Sequence, residues 1–148
     1  MASAKHVLAT GYHGTHVDHV DSILAQGLRY STNEWDWLGD GVYFFQDSPL
    51  RAREWAEEHH GKSNAIVLRA TIHLESCVDL LDIAWWPTLR LTHSQFVERE
   101  KALPKQTATS GAHRLDRAVL NYMVAVLGES GQGVRCLRAA FVDRKSVV

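Results

Sequence analysis

Cysteine is scarce in this chain, with two residues, Cys77 and Cys136, among 148. A domain of that length buries enough of its unfolded surface to need no disulfide staple. Both cysteines fall in expected strand or strand-end positions. A bridge between them stays open, and buried thiols in a cytosolic protein are the favoured reading. A dominant charge sign is also missing. The formal net charge is −1, which removes any general attraction to nucleic acid or anionic membranes but leaves room for a local basic face. No apolar run approaches the ~20 residues that span a bilayer. Met1 to His6 holds one lysine and no apolar core behind it, so no signal peptide is expected. Internal repeats and low-complexity tracts are absent. What remains is a composition of 45% hydrophobic and 22% charged residues, expected to form a single cytoplasmic globular domain over residues 1–148 without membrane attachment.

Taken in order, residues 6–13 have strand composition, and Thr15 is expected to cap the helix that follows, with Asp18 three residues on. Val17, Val20, Ile23 and Leu24 fall on one face of that helix, and Gly27 stops it. A polar, aromatic loop leads to a short apolar strand over 41–46. Ser48-Pro49 is a helix start, a cap followed by proline at the first position, and Gly61 ends that helix. Asn64 to Leu74 is the clearest strand, with Arg69, Thr71 and His73 alternating against Leu68, Ala70, Ile72 and Leu74. Trp85-Trp86-Pro87 is expected to break the next apolar segment before a helix over 88–102. Residues 103–111 have loop composition. A helix over 113–127, a turn over 128–133 and a last strand over 134–142 complete the α+β pattern.

Three early segments stand out: His13-Gly14-Thr15 ending the first strand, Gly27-Leu28-Arg29 closing the first helix, and Gly41-Val42-Tyr43-Phe44 in the second strand. Their order resembles the nicotinamide-binding half of the ADP-ribosyltransferases of the poly(ADP-ribose) polymerase type. In that family a His-Gly-Ser/Thr turn, a Gly-Leu-Arg and a Gly-Ile/Val-Tyr-Phe strand follow one another. The likeness covers roughly the first third of the chain. It implies an ADP-ribosyltransferase-like split β-sheet with flanking helices. It also implies NAD as co-substrate and transfer of single ADP-ribose units to a macromolecular acceptor, protein or nucleic acid.

The chemistry implied is rupture of the bond between nicotinamide and ribose. The ring must be held flat, its amide bonded, the ribose fixed and developing positive charge stabilised. Aromatic faces hold a flat ring, a glycine backbone can approach an amide closely, and an imidazole bonds ribose hydroxyls. By resemblance, His13 anchors the ribose, Gly14 supplies the backbone pair for the carboxamide, and Tyr43 stacks on nicotinamide, so His13 and Tyr43 carry catalysis. Thr15, Arg29, Ser31 and Trp55 join them as cofactor-binding positions. Trp55 falls one residue later than the family's second aromatic, and Arg29 matches an arginine on the adenosine side. Plainer readings compete: a structural histidine, a core tyrosine, a core tryptophan on an amphipathic helix, and a solvated helix-end arginine.

His13, His16 and His19 in HGTHVDH have spacing that could present two imidazoles to zinc. Nothing else matches a zinc signature, and no metal is assigned. His59-His60 and Glu98 to Lys101 read as solvated surfaces. The family's third motif residue, a glutamate in the polymerases, has no clear match. Asp143 is the only acid in the tail and Glu129 sits in the expected turn; neither receives a role. With six residues after Val142, a further paired strand at ~3.3 Å per residue has no room for its turn. The resemblance therefore implies an incomplete fold, with a homo-oligomer or a missing segment as the ways to complete it. A weak or inactive NAD- or ADP-ribose-binding module is the second reading. An RNA 2′-phosphotransferase is the third, disfavoured because basic residues are scattered.

Overall fold

The computed structural model describes residues 7–32, 36–100 and 114–140. It is a mixed α/β protein, compatible with the α+β class. It contains a three-stranded antiparallel sheet of order β2-β1-β3 and a two-stranded parallel sheet of β4 and β5. The chain divides into two compact units, Met1–Ser31 with Gly41–Leu74, and Thr32–Asp40 with Glu75–Val148.

In the first unit β1 (Leu8–His16) is the central strand, and β3 (Ala65–His73) pairs with it antiparallel from Leu8↔His73 to His16↔Ala65. The β-branched run Ile66-Val67 and the alternation after it favour this strand. Arg69, Thr71 and His73 are exposed as the alternation predicts, while the opposite face is half-buried and not closed over. α2 (Pro49–His60) begins with proline in its first turn and stops at Gly61, whose φ of 84° suits glycine. Its Ala52 and Ala56 are fully buried. Small side chains there let the helix lie close on the sheet.

Several expectations change. β1 runs to His16 because β3 continues to pair with it, so Thr15 is a buried strand residue and not a helix cap. His16 takes that role: its Nδ1 accepts from the Asp18 N–H at 3.0 Å. A 3-10 turn (Val17–His19) leads into α1 (Val20–Gln26), neither containing a buried residue. Of the apolar stripe, Val20 and Ile23 are only half-buried and Val17 and Leu24 are exposed, Leu24 at 75%. The expected strand over 41–46 shrinks to β2 (Phe45–Gln46), preceded by one bridge between Ser31 and Gly41.

In the second unit β4 (Cys77–Asp79) and β5 (Cys136–Arg138) pair in parallel, beside α3 (Trp86–Arg99) and α4 (Arg114–Glu129). Trp85-Trp86-Pro87 starts α3 and breaks nothing, since proline costs no hydrogen bond in a first turn. α4 buries Val119, Leu120, Met123 and Leu127 at helical spacing. Val78, Leu120, Met123 and Leu127 form the core of this unit, lined by Trp85, Leu89, Val134 and Leu137. Met123 is wholly enclosed, contributing about 1.5–3 kcal/mol relative to an exposed side chain. Glu129 is the last residue of α4 and not part of a turn. The last strand is three residues long, where nine were expected over 134–142. The expected loop over 103–111 and Asp143 lie outside the described residues. Among the described residues, no helix is long and apolar enough to cross a membrane.

Asp79 accepts from Arg138 Nε at 3.1 Å and pairs through its other oxygen with the same guanidinium. That hydrogen bond, above all, holds the Asp79 carboxyl below the usual carboxylate range. A depressed carboxylate contributes stability above its unfolded value, near pH 3.9, which disappears as pH falls through the folded value. Denaturant unfolding from pH 5 to pH 2 should therefore show a loss of stability that shrinks in Asp79→Asn.

Candidate functional site

Strand alternation decides what β1 presents. A Cβ at Gly14 would lie 2.3 Å from the Ala52 carbonyl oxygen and 3.1 Å from Ala56 Cβ, so this position faces α2. His16 faces the same way, its ring 5.5 Å from that of His60. Gly11 faces the other way, toward Ile72 and Phe44. His13 shares that second face, its ring 5.8 Å from Phe44.

The backbone alternates too. The Asp47 N–H donates to the Thr10 carbonyl at 3.0 Å, and the Val17 N–H donates to Asn64 at 2.8 Å. Even-numbered residues of β1 therefore point their N–H and C=O toward the β2 edge, and odd-numbered ones toward β3. Gly14 belongs to the first set. β2 pairs with β1 only at Gly11 and Tyr12, so no described strand is paired to the edge at Gly14. Glycine thus serves twice here: its bare Cα admits α2, and among the described residues no strand pairs with its peptide groups on the β2 side.

His13 Nδ1 lies 2.8 Å from the Tyr43 carbonyl oxygen. A carbonyl only accepts, so Nδ1 carries the proton and Nε2 of the neutral ring is left as an acceptor. The same bond explains the short β2: the Tyr43 carbonyl is taken by a side chain instead of a strand. His13 and Tyr43 are thereby brought together, and Tyr43 is half-buried. Phe44, given no role by sequence, is the aromatic in ring contact with His13. Its signal was its place in the same Gly41-Val42-Tyr43-Phe44 segment.

The other predicted positions scatter. Ser31 exchanges both backbone hydrogen bonds with Gly41, at 2.8 and 3.0 Å, which anchors the start of the Tyr43 segment. Arg29 is exposed just beyond α1. Thr15 is buried, its Oγ1 3.4 Å from His19 Nδ1. Trp55 does not join His13. It stands on α2, on the sheet's opposite side, stacked on His59 at 4.0 Å and 18°. His59 Nδ1 donates to the Trp55 carbonyl at 2.7 Å.

Trp55, His16, His19, His59 and His60 form an aromatic cluster. His60 titrates below the ordinary histidine value, chiefly through burial and then through His16, His59 and His19. Asp18, 3.6 Å from His16 Nδ1, is the acid beside the cluster. The unfolded chain therefore takes up this proton first. The His60 contribution is complete above about pH 6.5 and is lost as pH falls toward the lower folded value. Thermal unfolding between pH 7.5 and 5 should show this drop, and His60→Gln should flatten it. Among the described residues, no group of three His, Cys, Asp or Glu side chains is disposed to hold a metal ion.

No protein-family model, curated protein or solved structure matches this chain.

Proposed function

We propose that the first unit is the nicotinamide-binding part of an NAD-dependent mono-ADP-ribosyltransferase. The observation that carries this reading is the His13–Tyr43 hydrogen bond beside the unpaired Gly14 edge. It joins two of the three motif segments through a contact that leaves His13 Nε2 free to accept from a ribose hydroxyl. Gly14 N–H and C=O are the donor–acceptor pair a carboxamide needs. Tyr43 and Phe44 are the aromatic residues of that segment, of the kind that holds a flat ring. The antiparallel β2-β1-β3 sheet with α2 packed on one face is compatible with part of an ADP-ribosyltransferase-like split sheet.

In the proposed reaction the bond between nicotinamide N1 and ribose C1′ breaks, and the electron pair leaves with neutral nicotinamide. The acceptor nucleophile, on a protein or nucleic acid, attacks C1′ and loses its proton to solvent. His13 positions the ribose while C1′ develops positive charge. Trp55 is set aside from the nicotinamide contacts by its place on the α2 side. Arg29 and Ser31 remain the proposed contacts for the rest of the dinucleotide. No acid is assigned to stabilise the ribosyl cation; Glu129 is exposed at the end of α4 in the second unit.

The test is nicotinamide release from NAD by the purified chain, followed by labelled NAD in a cell lysate with protease or nuclease digestion of the product. Nicotinamide release with single ADP-ribose additions supports the proposal. NAD binding without release supports the second reading, an inactive NAD- or ADP-ribose-binding module. Neither binding nor release removes both.

A further inference from the structure

The second unit contains both cysteines of the chain. Cys77 opens β4, Cys136 opens β5, and the parallel register pairs Cys77 directly with Cys136. Neighbouring strands lie about 4.8 Å apart, and residues paired across a ladder project to the same face. A disulfide needs a Cα separation of about 4.4–6.8 Å. The backbone register therefore places the pair within bridging range with no shift of strand. Both thiols are free and half-buried. A cavity of about 290 Å³, lined by Ser76, Cys77, Trp85 and the Gly131–Gly133 turn, opens beside Cys77.

We propose that Cys77 and Cys136 are a reversible redox pair that closes to a cross-strand disulfide by exchange with a low-molecular-weight disulfide. The Cys136 thiolate attacks one sulfur of the reagent, forming a mixed disulfide and releasing the first reagent thiolate. Cys77 then loses its proton to solvent and attacks Cys136 Sγ, expelling the second thiolate. Two electrons pass from the cysteines to the reagent, which leaves as two thiols. Burial, and next the contact with Cys136, push the Cys77 thiol up to about 12. Cys77 therefore acts as the resolving thiol, and the exchange quickens as pH rises.

The consequence is structural. β4 and β5 pair over three residues, extended by the Arg135 N–H to Ser76 and Leu80 N–H to Arg138 hydrogen bonds. A bridge across this short ladder closes a loop of about 60 residues, which restricts the unfolded chain and raises thermal stability.

The reduced full chain is incubated with oxidised glutathione at pH 8 and analysed by intact mass and thermal unfolding. The expected product is a monomer lighter by two hydrogens, restored by dithiothreitol, with Tm raised by about 5 °C or more. Cys77→Ser should trap one glutathione on Cys136. The wild-type mass shift decides the matter even if that variant fails to fold. A stable glutathione adduct on wild type, a disulfide-linked dimer, an unchanged mass or an unchanged Tm would each overturn the proposal.

Discussion

Gly14→Ala is expected to destabilise the first unit by about 3 kcal/mol, lowering its thermal midpoint by roughly 12 °C or more. The added Cβ would sit 2.3 Å from the Ala52 carbonyl oxygen, a backbone atom of α2. No rotamer relieves that clash; α2 must lift from β1, exposing Ala52 and Ala56, both wholly buried. Packed interiors tolerate such insertions poorly. Gly41→Ala is the control, because its Cβ would meet nothing within 4 Å. Differential scanning calorimetry on the two variants checks this. Equal midpoints would show that α2 does not lie against β1 as described.

Under the proposed function, the second large effect is on turnover. His13→Ala removes both the proton donor to the Tyr43 carbonyl and the Nε2 acceptor, and should cut nicotinamide release roughly 100-fold, about 2–3 kcal/mol. His13→Asn separates the two roles. Its amide nitrogen can occupy the place of Nδ1 and keep the Tyr43 carbonyl bonded, while nothing replaces Nε2. Asparagine should therefore restore most of the stability lost in His13→Ala and little of the turnover. Steady-state release assays paired with denaturant unfolding give both numbers. Recovery of turnover by asparagine would show that His13 serves only to hold the Tyr43 segment.

The elements legible in the sequence were those whose signals are local. Pro49 and Gly61 bound α2 because proline and glycine geometry act within one turn, whereas Ser48 makes no side-chain capping hydrogen bond. The alternation in β3 and the helix over 113–127 were legible for the same reason. The strand at 41–46 was misjudged because a distant side chain, His13, takes the Tyr43 carbonyl. Thr15 was misjudged because strand pairing with Ile66, fifty residues away, outweighs a local capping signal. The parallel pairing of Cys77 with Cys136 had no local signature, since three-residue strands carry too short a pattern. At the site, the His13–Tyr43 hydrogen bond spans thirty residues and had no local signature in the sequence. Trp55 does not join His13 because α2 packs on the Gly14 face of the sheet, opposite the face that carries His13.

The central claim is that the Gly14 edge, His13 and Tyr43 bind the nicotinamide end of NAD. Titration calorimetry of NAD into wild type and Tyr43→Ala tests it most directly. Loss of a stacked ring should weaken binding about tenfold, with the folded structure retained. Equal affinity in the two proteins, or no binding of NAD to wild type at all, would contradict it.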